Sequence, residues 1–278
     1  MRKLLPIAAA VMGLWFAGTG AVNAEARELR VCADPNNLPF SNDREEGFEN
    51  KIVALVAADL QETPHYFWWA QRRGFVRNTL QAEKCDLWPG VATKLEMMTT
   101  TRPYYRSTYV FVSRPSDHLA IASFDDRRLR RLTIGVQMVG NDGMNTPPAH
   151  ALAQRGMIAK VRGFMLYGDY RRPSPPAAIV DAVANRQIDV ALVWGPLAGY
   201  FAAREKPPLS VEPLSAANDG PARPMQFDIS MGVRKGNTVL SDRLDAILSR
   251  ERPRIDAILD AYHVPRVIAP DTVAAGGK

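Results

Sequence analysis

The chain has 278 residues, of which 46% are hydrophobic and 23% are charged, and it carries a formal net charge of +6. These values are ordinary for a globular protein that buries a core, in one large domain or two of ordinary size. The arginine pairs are dispersed and lack interleaved aromatic residues, so the positive charge does not indicate nucleic-acid binding. The pairs stand at positions 72–73, 127–128, 130–131 and 171–172.

Residues 1–24 predict a secretory signal peptide. Arg2 and Lys3 precede an apolar run from Leu4 to Ala17, and small residues at 21–24 complete the pattern. The run is shorter than the roughly 20 residues of a membrane-spanning helix, which makes an uncleaved anchor the weaker alternative. We therefore expect an exported chain with no membrane span after signal removal.

Cys32 and Cys85 are the two cysteines of the chain, and export favours a disulfide between them. They fall on the predicted first and third strands, which neighbour each other in a doubly wound sheet. Metal or thiol chemistry would require further cysteine or histidine nearby. The histidines lie in separate segments without metal-ligand spacing, so we predict no metal centre. They are His65, His118, His150 and His263.

Strands and helices alternate between residues 28 and 90. The pattern predicts helices around 52–60 and 73–82, and strands at 28–33, 65–70 and 85–88, the last ending at Pro89-Gly90. This order predicts a parallel sheet covered on both faces. The polar turn from Asp34 to Phe40 follows the first strand, where ligands dock in open α/β sheets. We interpret Asp34 as a turn acceptor rather than a catalytic acid.

Two further segments predict strands that cross between lobes. Residues 99–113 (TTTRPYYRSTYVFVS) contain a β-branched and aromatic run that favours a strand beginning after the corner at Pro103. Residues 227–234 (FDISMGVR) would form the return crossing. We assign residues 25–110 and 231–278 to lobe 1, and residues 111–230 to lobe 2.

The alternation starts again beyond residue 131. The pattern predicts strands at 132–137, 161–167 and 188–194, an edge strand at 209–214, and helices at 147–154, 177–184 and 197–203. Two helices, at 239–251 and 254–262, follow the return crossing and are separated by Pro253. The fold class is therefore α/β, with two lobes that each contain a doubly wound, mainly parallel sheet.

Several segments resemble the periplasmic solute-binding proteins of family 3, the polar amino-acid type. They are LRVCADPNNLPF, GFENKIVALVAADL, CDLWPG, TRPYYRSTYVFV, IVDAVANRQIDVALVWGP and ISMGVRKGN. The resemblance covers nearly the whole mature chain. It implies a type II binding-protein fold in which two lobes joined by two hinge crossings close over a ligand.

The chain departs from that family at both anchors for an amino acid. Members usually carry an arginine ahead of the Pro-Tyr corner, for the ligand carboxylate, and an aspartate after the buried strand of the second lobe, for its ammonium group. Here residues 93–98 read TKLEMM, and Trp194 stands where the aspartate would be. Asp142, in the loop 141–146, would repel an anion. We therefore predict no tight binding of free amino acids.

A narrower resemblance lies in NNLPFSN, WWAQRRGFVRNTL, TTRPYYRSTYVFVSR and VWGPLAGYFA. These segments are similar to the J-type accessory proteins encoded with PQQ-dependent methanol and related alcohol dehydrogenases. The resemblance implies a periplasmic helper of dehydrogenase maturation or activation that binds a protein partner. The implied partner is a PQQ-dependent methanol or alcohol dehydrogenase, the lanthanide type included, and no cofactor of the chain's own is expected.

Two other classes of function remain open at this point. The first is the substrate-binding subunit of an ABC transporter for a small organic solute other than a standard amino acid. The second is an enzyme, which the sequence disfavours because it contains no G-x-S-x-G elbow, Walker loop or Rossmann fingerprint.

The candidate ligand- or partner-binding cleft combines the turn after the first strand, the crossing strand and the end of the buried strand. We expect Tyr104, Tyr105 and Arg106 at the hinge and Trp194 at the cleft floor. This mixture of aromatic residues and arginine is typical of protein-interface hot spots. The full set is Asn36, Asn37, Phe40, Trp69, Arg72, Tyr104, Tyr105, Arg106, Gln137 and Trp194.

Overall fold

The computed structural model describes residues 27–139, 145–165, 170–215, 219 and 223–267. Three segments that carried predictions lie wholly or partly outside the described residues: the signal peptide at 1–24, positions 141–144 of the loop containing Asp142, and the end of the strand predicted at 161–167. The described strands are β1 Glu28–Ala33, β2 Asn36–Asn37, β3 Ser41–Asn42, β4 Thr63–Trp68, β5 Leu87–Ala92, β6 Thr99–Thr100, β7 Tyr105–Ser113, β8 Ile134–Met138, β9 Val161–Met165, β10 Val190–Trp194, β11 Ser210–Pro213 and β12 Gln226–Val233. The helices are α1 Phe48–Leu60, α2 Phe75–Asn78, α3 Pro147–Gln154, α4 Ala178–Ala184, α5 Gly195–Ala202, α6 Thr238–Arg250 and α7 Arg252–Ala261.

The strands form two groups, each mainly parallel. In the first group, β1 pairs in parallel with β4 and β5, and β12 joins the far edge of β5 in the antiparallel direction. In the second group, β8 pairs in parallel with β9 and β10, and β7 joins β10 in the antiparallel direction. The order β4-β1-β5-β12-β7-β10-β8-β9 places the two antiparallel strands at the centre.

The predicted crossing strands β7 and β12 join the two groups. The first part of β7 pairs with β12, with Tyr105 opposite Ile229 and Thr108 opposite Gln226. The remainder, from Tyr109 to Ser113, pairs with β10, and Val110 to Ser113 also pairs with β11. Strand β7 therefore contributes to both groups, whereas β12 pairs with β5, β6 and the first part of β7.

The predicted end of β5 at Pro89-Gly90 is wrong, because the strand continues to Ala92. The register between β5 and β12 shifts at this place: Val91 faces Ser230, whereas Trp88 faces Gly232. A shift of this kind leaves one more residue on one strand than on its partner, so a proline without an N–H fits there.

Two predicted helices also differ. The segment 73–82 forms only the single turn α2, followed by non-helical turns, although its apolar residues Phe75, Val76 and Leu80 are buried as expected. Pro253 does not separate α6 from α7 but lies in the first turn of α7, where its missing N–H has no helical partner to lose.

Helices cover the two sheet groups and bury apolar residues against them. The largest core packs α1, α6 and α7 against the first group, and α4 and α5 cover the second. A smaller core of Phe75, Val76 and Leu80 surrounds Cys32 and Cys85. Among the described residues, we find no helix whose length and hydropathy would allow it to cross a membrane.

Candidate functional site

A cavity of about 390 Å³ lies where the two crossing strands meet the strand ends of both groups. Its wall draws on both sides of the joint, since α1 and β5 belong to the first group and β10 and α5 to the second. The lining residues are Asn37, Phe40, Glu49, Gln71, Gly90, Ala92, Tyr105, Tyr109, Gln137, Thr146, Trp194, Leu197, Phe227 and Ile229.

Three aromatic rings from three strands form one side of the cavity. The Trp194 ring meets the Tyr109 ring edge to face at 5.3 Å between centroids, and the Phe227 ring at 5.8 Å. Such edge-to-face contacts are favourable beyond the area they bury. Burial raises the pKa of the Tyr109 hydroxyl above its usual value, so this tyrosine stays neutral across the physiological range.

Gln137 fixes the polar corner of the wall. Its side-chain oxygen accepts the backbone N–H of Trp194 at 3.1 Å, and its backbone carbonyl accepts the Thr146 hydroxyl at 2.7 Å. Because Thr146 directly precedes α3, these bonds join the ends of β8 and β10 to the start of a helix. The Gln137 side chain is therefore held in place before any ligand enters.

Glu49 is the one acidic residue of the wall. It lies in the first turn of α1, and the residue as a whole is 7% exposed. Within the described part of the chain, its carboxyl group has no salt bridge and no hydrogen bond. Because burial penalises the charged form, the pKa of Glu49 is raised to about 8. The carboxyl rests against the backbone of Gly90, where a Cβ atom would stand 1.9 Å from Oε1.

A set of hydrogen bonds closes the rim between the turn after β1 and the segment 170–174. The Tyr170 hydroxyl donates to Asp34 Oδ2. Asn36 donates through Nδ2 to the Arg172 carbonyl at 2.9 Å and accepts the Ser174 N–H through Oδ1 at 3.2 Å. The Arg72 guanidinium lies 4.8 Å from the centroid of the Tyr170 ring. The rim thus bridges the two sides of the cavity.

Asp34 has the role that its position predicted. Its Oδ1 accepts the N–H of Asn36 at 2.9 Å, which is the local turn bond of an aspartate. Its Oδ2 accepts the N–H of Gln71 at 2.6 Å, which ties the turn to the segment after β4.

The cavity brings together five of the ten predicted cleft residues. They are Asn37, Phe40, Tyr105, Gln137 and Trp194. Two others, Asn36 and Arg72, lie at the rim. Their role in binding remains a prediction.

Three of the predicted residues do not line this cavity. Tyr104 is fully buried, and its hydroxyl donates to the Pro89 carbonyl at 2.9 Å, so it belongs to the core. Trp69 is 44% exposed and stacks on Phe67, outside the cavity. Arg106 pairs with Asp228 at 3.7 Å, because its side chain leaves β7 on the opposite face from Tyr105.

The prediction omitted nine of the lining residues: Glu49, Gln71, Gly90, Ala92, Tyr109, Thr146, Leu197, Phe227 and Ile229. Strand periodicity could have found Tyr109, since it shares a strand face with the predicted Tyr105. No pattern marks Glu49, because an acid in a first helical turn usually faces solvent.

The predicted disulfide is confirmed, with the Cα atoms of Cys32 and Cys85 5.5 Å apart. Cys85 lies two residues ahead of β5 rather than within it. In the described ranges, no group of three or more His, Cys, Asp or Glu residues is placed to hold a metal ion.

Solved structures define the class to which this arrangement belongs. The fold is similar to that of an ancestral cationic amino acid solute-binding protein, with a TM-score of 0.66 at 18% identity, covering 85% of this chain and 95% of that one. It is also similar to the periplasmic binding protein XoxJ from Methylobacterium extorquens AM1, with a TM-score of 0.71 at 35% identity, covering 87% and 100%. The protein therefore has the two-lobed fold of the periplasmic binding proteins, with two hinge crossings, as predicted.

Sequence relatives give the family. Protein MoxJ of Methylorubrum extorquens is 32% identical over 257 residues, which span 88% of this chain and 83% of the relative. Protein MoxJ of Paracoccus denitrificans is 27% identical over 260 residues, 87% of this chain and 90% of the relative. The chain belongs to the MoxJ family. No family model matches it.

Proposed function

We propose that the protein is a periplasmic accessory factor for maturation or activation of a PQQ-dependent methanol or alcohol dehydrogenase, and that it acts by binding a protein partner. The observation that carries the proposal is membership of the MoxJ family across 88% of the chain. The lanthanide-type dehydrogenases are included among the proposed partners.

The wall of the cavity supports a role other than amino-acid capture. A zwitterion needs a cation for its carboxylate and an anion for its ammonium group. None of the fourteen lining residues is arginine, lysine or histidine, and Trp194 lies where the family's aspartate would be expected. An amino acid would leave its carboxylate unpaired in a largely apolar cavity, which is unfavourable.

Export is also part of the proposal. Residues 1–24 have the composition of a signal peptide, and the Cys32–Cys85 disulfide fits an oxidising compartment. We place the mature protein in the periplasm. Microscopy or fractionation of a C-terminally tagged full-length chain, with N-terminal sequencing of the mature form, tests this part.

We further propose that the protein does not catalyse a reaction. Two relatives that exceed 30% identity over most of the chain are named as MoxJ and as a periplasmic binding protein. One similar structure, at 17% identity, is named as a precursor of cyclohexadienyl dehydratase, so the fold alone does not exclude enzymes. Turnover of a substrate by the purified chain would contradict this part.

The test of the accessory role uses a deletion strain complemented with the full chain. We expect deletion to lower dehydrogenase activity per amount of dehydrogenase protein, and the tagged chain to co-purify with the dehydrogenase. A chain carrying Trp194→Ala should restore less dehydrogenase activity to the deletion strain and should co-purify with less dehydrogenase, since truncating an interface hot spot lowers affinity by about thirtyfold. Trp69→Ala is the control, because Trp69 lies outside the cavity. Unchanged dehydrogenase activity in the deletion strain would refute the proposal.

A second candidate is the substrate-binding subunit of an ABC transporter for a small organic solute that is not a standard amino acid. The cavity volume of about 390 Å³ favours it, because small-molecule pockets are usually about 300–1,000 Å³. Thermal unfolding in the presence of a solute library, followed by uptake measurements in the deletion strain, separates the two candidates.

A further inference from the structure

We infer that the cavity binds a small organic cation without a carboxylate, an alkylammonium or quaternary ammonium compound, with Glu49 as its counter-ion. The inference goes beyond the proposed accessory function and does not depend on it, because it concerns a free small ligand and is tested on the purified protein alone.

The first step is the charge of the wall. Glu49 is the only lining residue that ionises near neutral pH, so the described wall carries either no charge or one negative charge. Its carboxyl is buried and has no hydrogen-bonding or ionic partner in the described part of the chain. A buried carboxylate without a partner is unfavourable, so the group either takes up a proton or requires a positive charge beside it. A ligand cation would supply it.

The second step is the aromatic content of the wall. Five lining residues carry aromatic rings, and the rings of Tyr109, Trp194 and Phe227 form one cluster with centroids 5.3–6.4 Å apart. The faces of such rings attract cations, and sites of this kind recognise quaternary ammonium groups. The rings on their own would equally suit a neutral apolar ligand. The buried carboxyl in the same wall is what selects a cation.

The third step is that the carboxyl is placed by the fold rather than by chance rotation. Glu49 begins at the first turn of α1, whose Gly47 N–H is bound by Asn50 Oδ1 at 3.1 Å. The carboxyl then lies on Gly90 of β5, at a spot that any larger residue would block, since a Cβ would stand 2.7 Å from Glu49 Cδ. The helix start and the glycine together direct this acid into the cavity.

The fourth step is a coupling between cation and proton. Because Glu49 holds its proton up to about pH 8 in the empty protein, a cation that requires the carboxylate must displace that proton. The affinity for a permanently charged cation should therefore increase about tenfold for each unit by which the pH rises towards 8, and level off above pH 8. A neutral ligand would show no such dependence.

The experiment is calorimetric titration of the purified mature protein with matched probes. Choline and tetramethylammonium are permanent cations, 3,3-dimethylbutan-1-ol has the shape of choline without its charge, and glycine betaine adds a carboxylate. We expect saturable 1:1 binding of a cation, strengthening from pH 6 to pH 8, and at least tenfold weaker binding of the alcohol and of betaine. Titration in buffers of different ionisation enthalpy should show one proton released per cation at pH 7.

Glu49→Gln should lower cation affinity at least tenfold at pH 8 and remove the pH dependence, while Glu96→Gln, at an exposed acid that does not line the cavity, should change neither. Circular dichroism checks that both variants fold. The wild-type pH series and proton release test the inference even where Glu49→Gln fails to fold. The inference is overturned if neither cation binds, if the alcohol binds as tightly as choline, or if affinity is flat between pH 6 and pH 8.

Discussion

Replacing Glu49 by glutamine should change how the stability of the empty protein depends on pH. Glu49 has a pKa of about 8 in the folded chain, against 4.5 for an unperturbed glutamate. The folded protein thus binds one more proton than the unfolded chain between these pH values, and the free energy of unfolding falls as pH rises through that window. At about 1.4 kcal/mol for each pKa unit, the loss is about 5 kcal/mol between pH 4.5 and pH 8.

Glutamine has nearly the shape of the protonated carboxyl and does not ionise, so the variant should lack this loss. We expect wild type and Glu49→Gln to have similar free energies of unfolding at pH 4.5, with the variant gaining the advantage steadily until pH 8 and holding it above. Urea unfolding at half-unit pH steps, followed by circular dichroism, measures the difference directly. Parallel stability curves for the two proteins would refute the argument that Glu49 is buried without a partner.

Three other changes test neighbouring parts of the structure. Gly90→Ala should lower the free energy of unfolding by about 1–3 kcal/mol, because its Cβ would stand 1.9 Å from Glu49 Oε1. This cost should be smaller in a Glu49→Ala background, which urea unfolding of the wild type, the two single variants and the double variant measures. Reducing the Cys32–Cys85 disulfide, which spans 53 positions, should lower the free energy of unfolding by about 4 kcal/mol. An unchanged urea midpoint in the presence of reductant would contradict this expectation. Asn36→Ala should speed hydrogen exchange of the Ser174 amide at least fivefold, because the Asn36 side chain accepts the hydrogen bond of that N–H. Unaltered exchange, measured by mass spectrometry, would mean that the rim bonds do not form in solution.

Much of the fold could be predicted from local patterns, because burial on both faces of a sheet requires apolar strands of recognisable length. The first strand, at Glu28–Ala33, and the helix Pro147–Gln154 have the predicted bounds, and the crossing strand begins after Pro103 as expected. The sequence predicts that β5 ends at Pro89-Gly90, because a proline followed by a glycine is typical of a turn. The strand continues past Gly90 because its partner strand pairs with it in an irregular register. That register depends on β12, more than 130 positions away.

The lobe boundaries remain a prediction. The sequence predicts them at residues 110/111 and 230/231, on the two crossing strands. Strand β7 exchanges β12 for β10 as its neighbour at Tyr109, close to the first of these positions. Strand β12 exchanges β7 for β5 at Ile229, close to the second.

The candidate site was only half predictable, because its residues share a wall but no sequence pattern. Neighbouring tyrosines illustrate this: Tyr104 points into the core and Tyr105 into the cavity, and composition cannot tell which is which. Glu49 is the sharper case. Its burial depends on a glycine in another strand, and a sequence that places an acid at a helix start gives no sign of that neighbour.

The position of the cavity couples its contents to the arrangement of the two sides. Glu49 and Asn37 come from the first group of elements, Trp194 and Leu197 from the second, so a ligand held by all four favours the conformation in which they meet. At a concentration one hundred times its dissociation constant, such a ligand would add about 2.7 kcal/mol to that conformation. This exceeds the net contribution of about 1 kcal/mol from a typical hydrogen bond, such as the one between Asn36 and Ser174. Occupancy of the cavity would therefore stabilise the conformation in which the rim is closed.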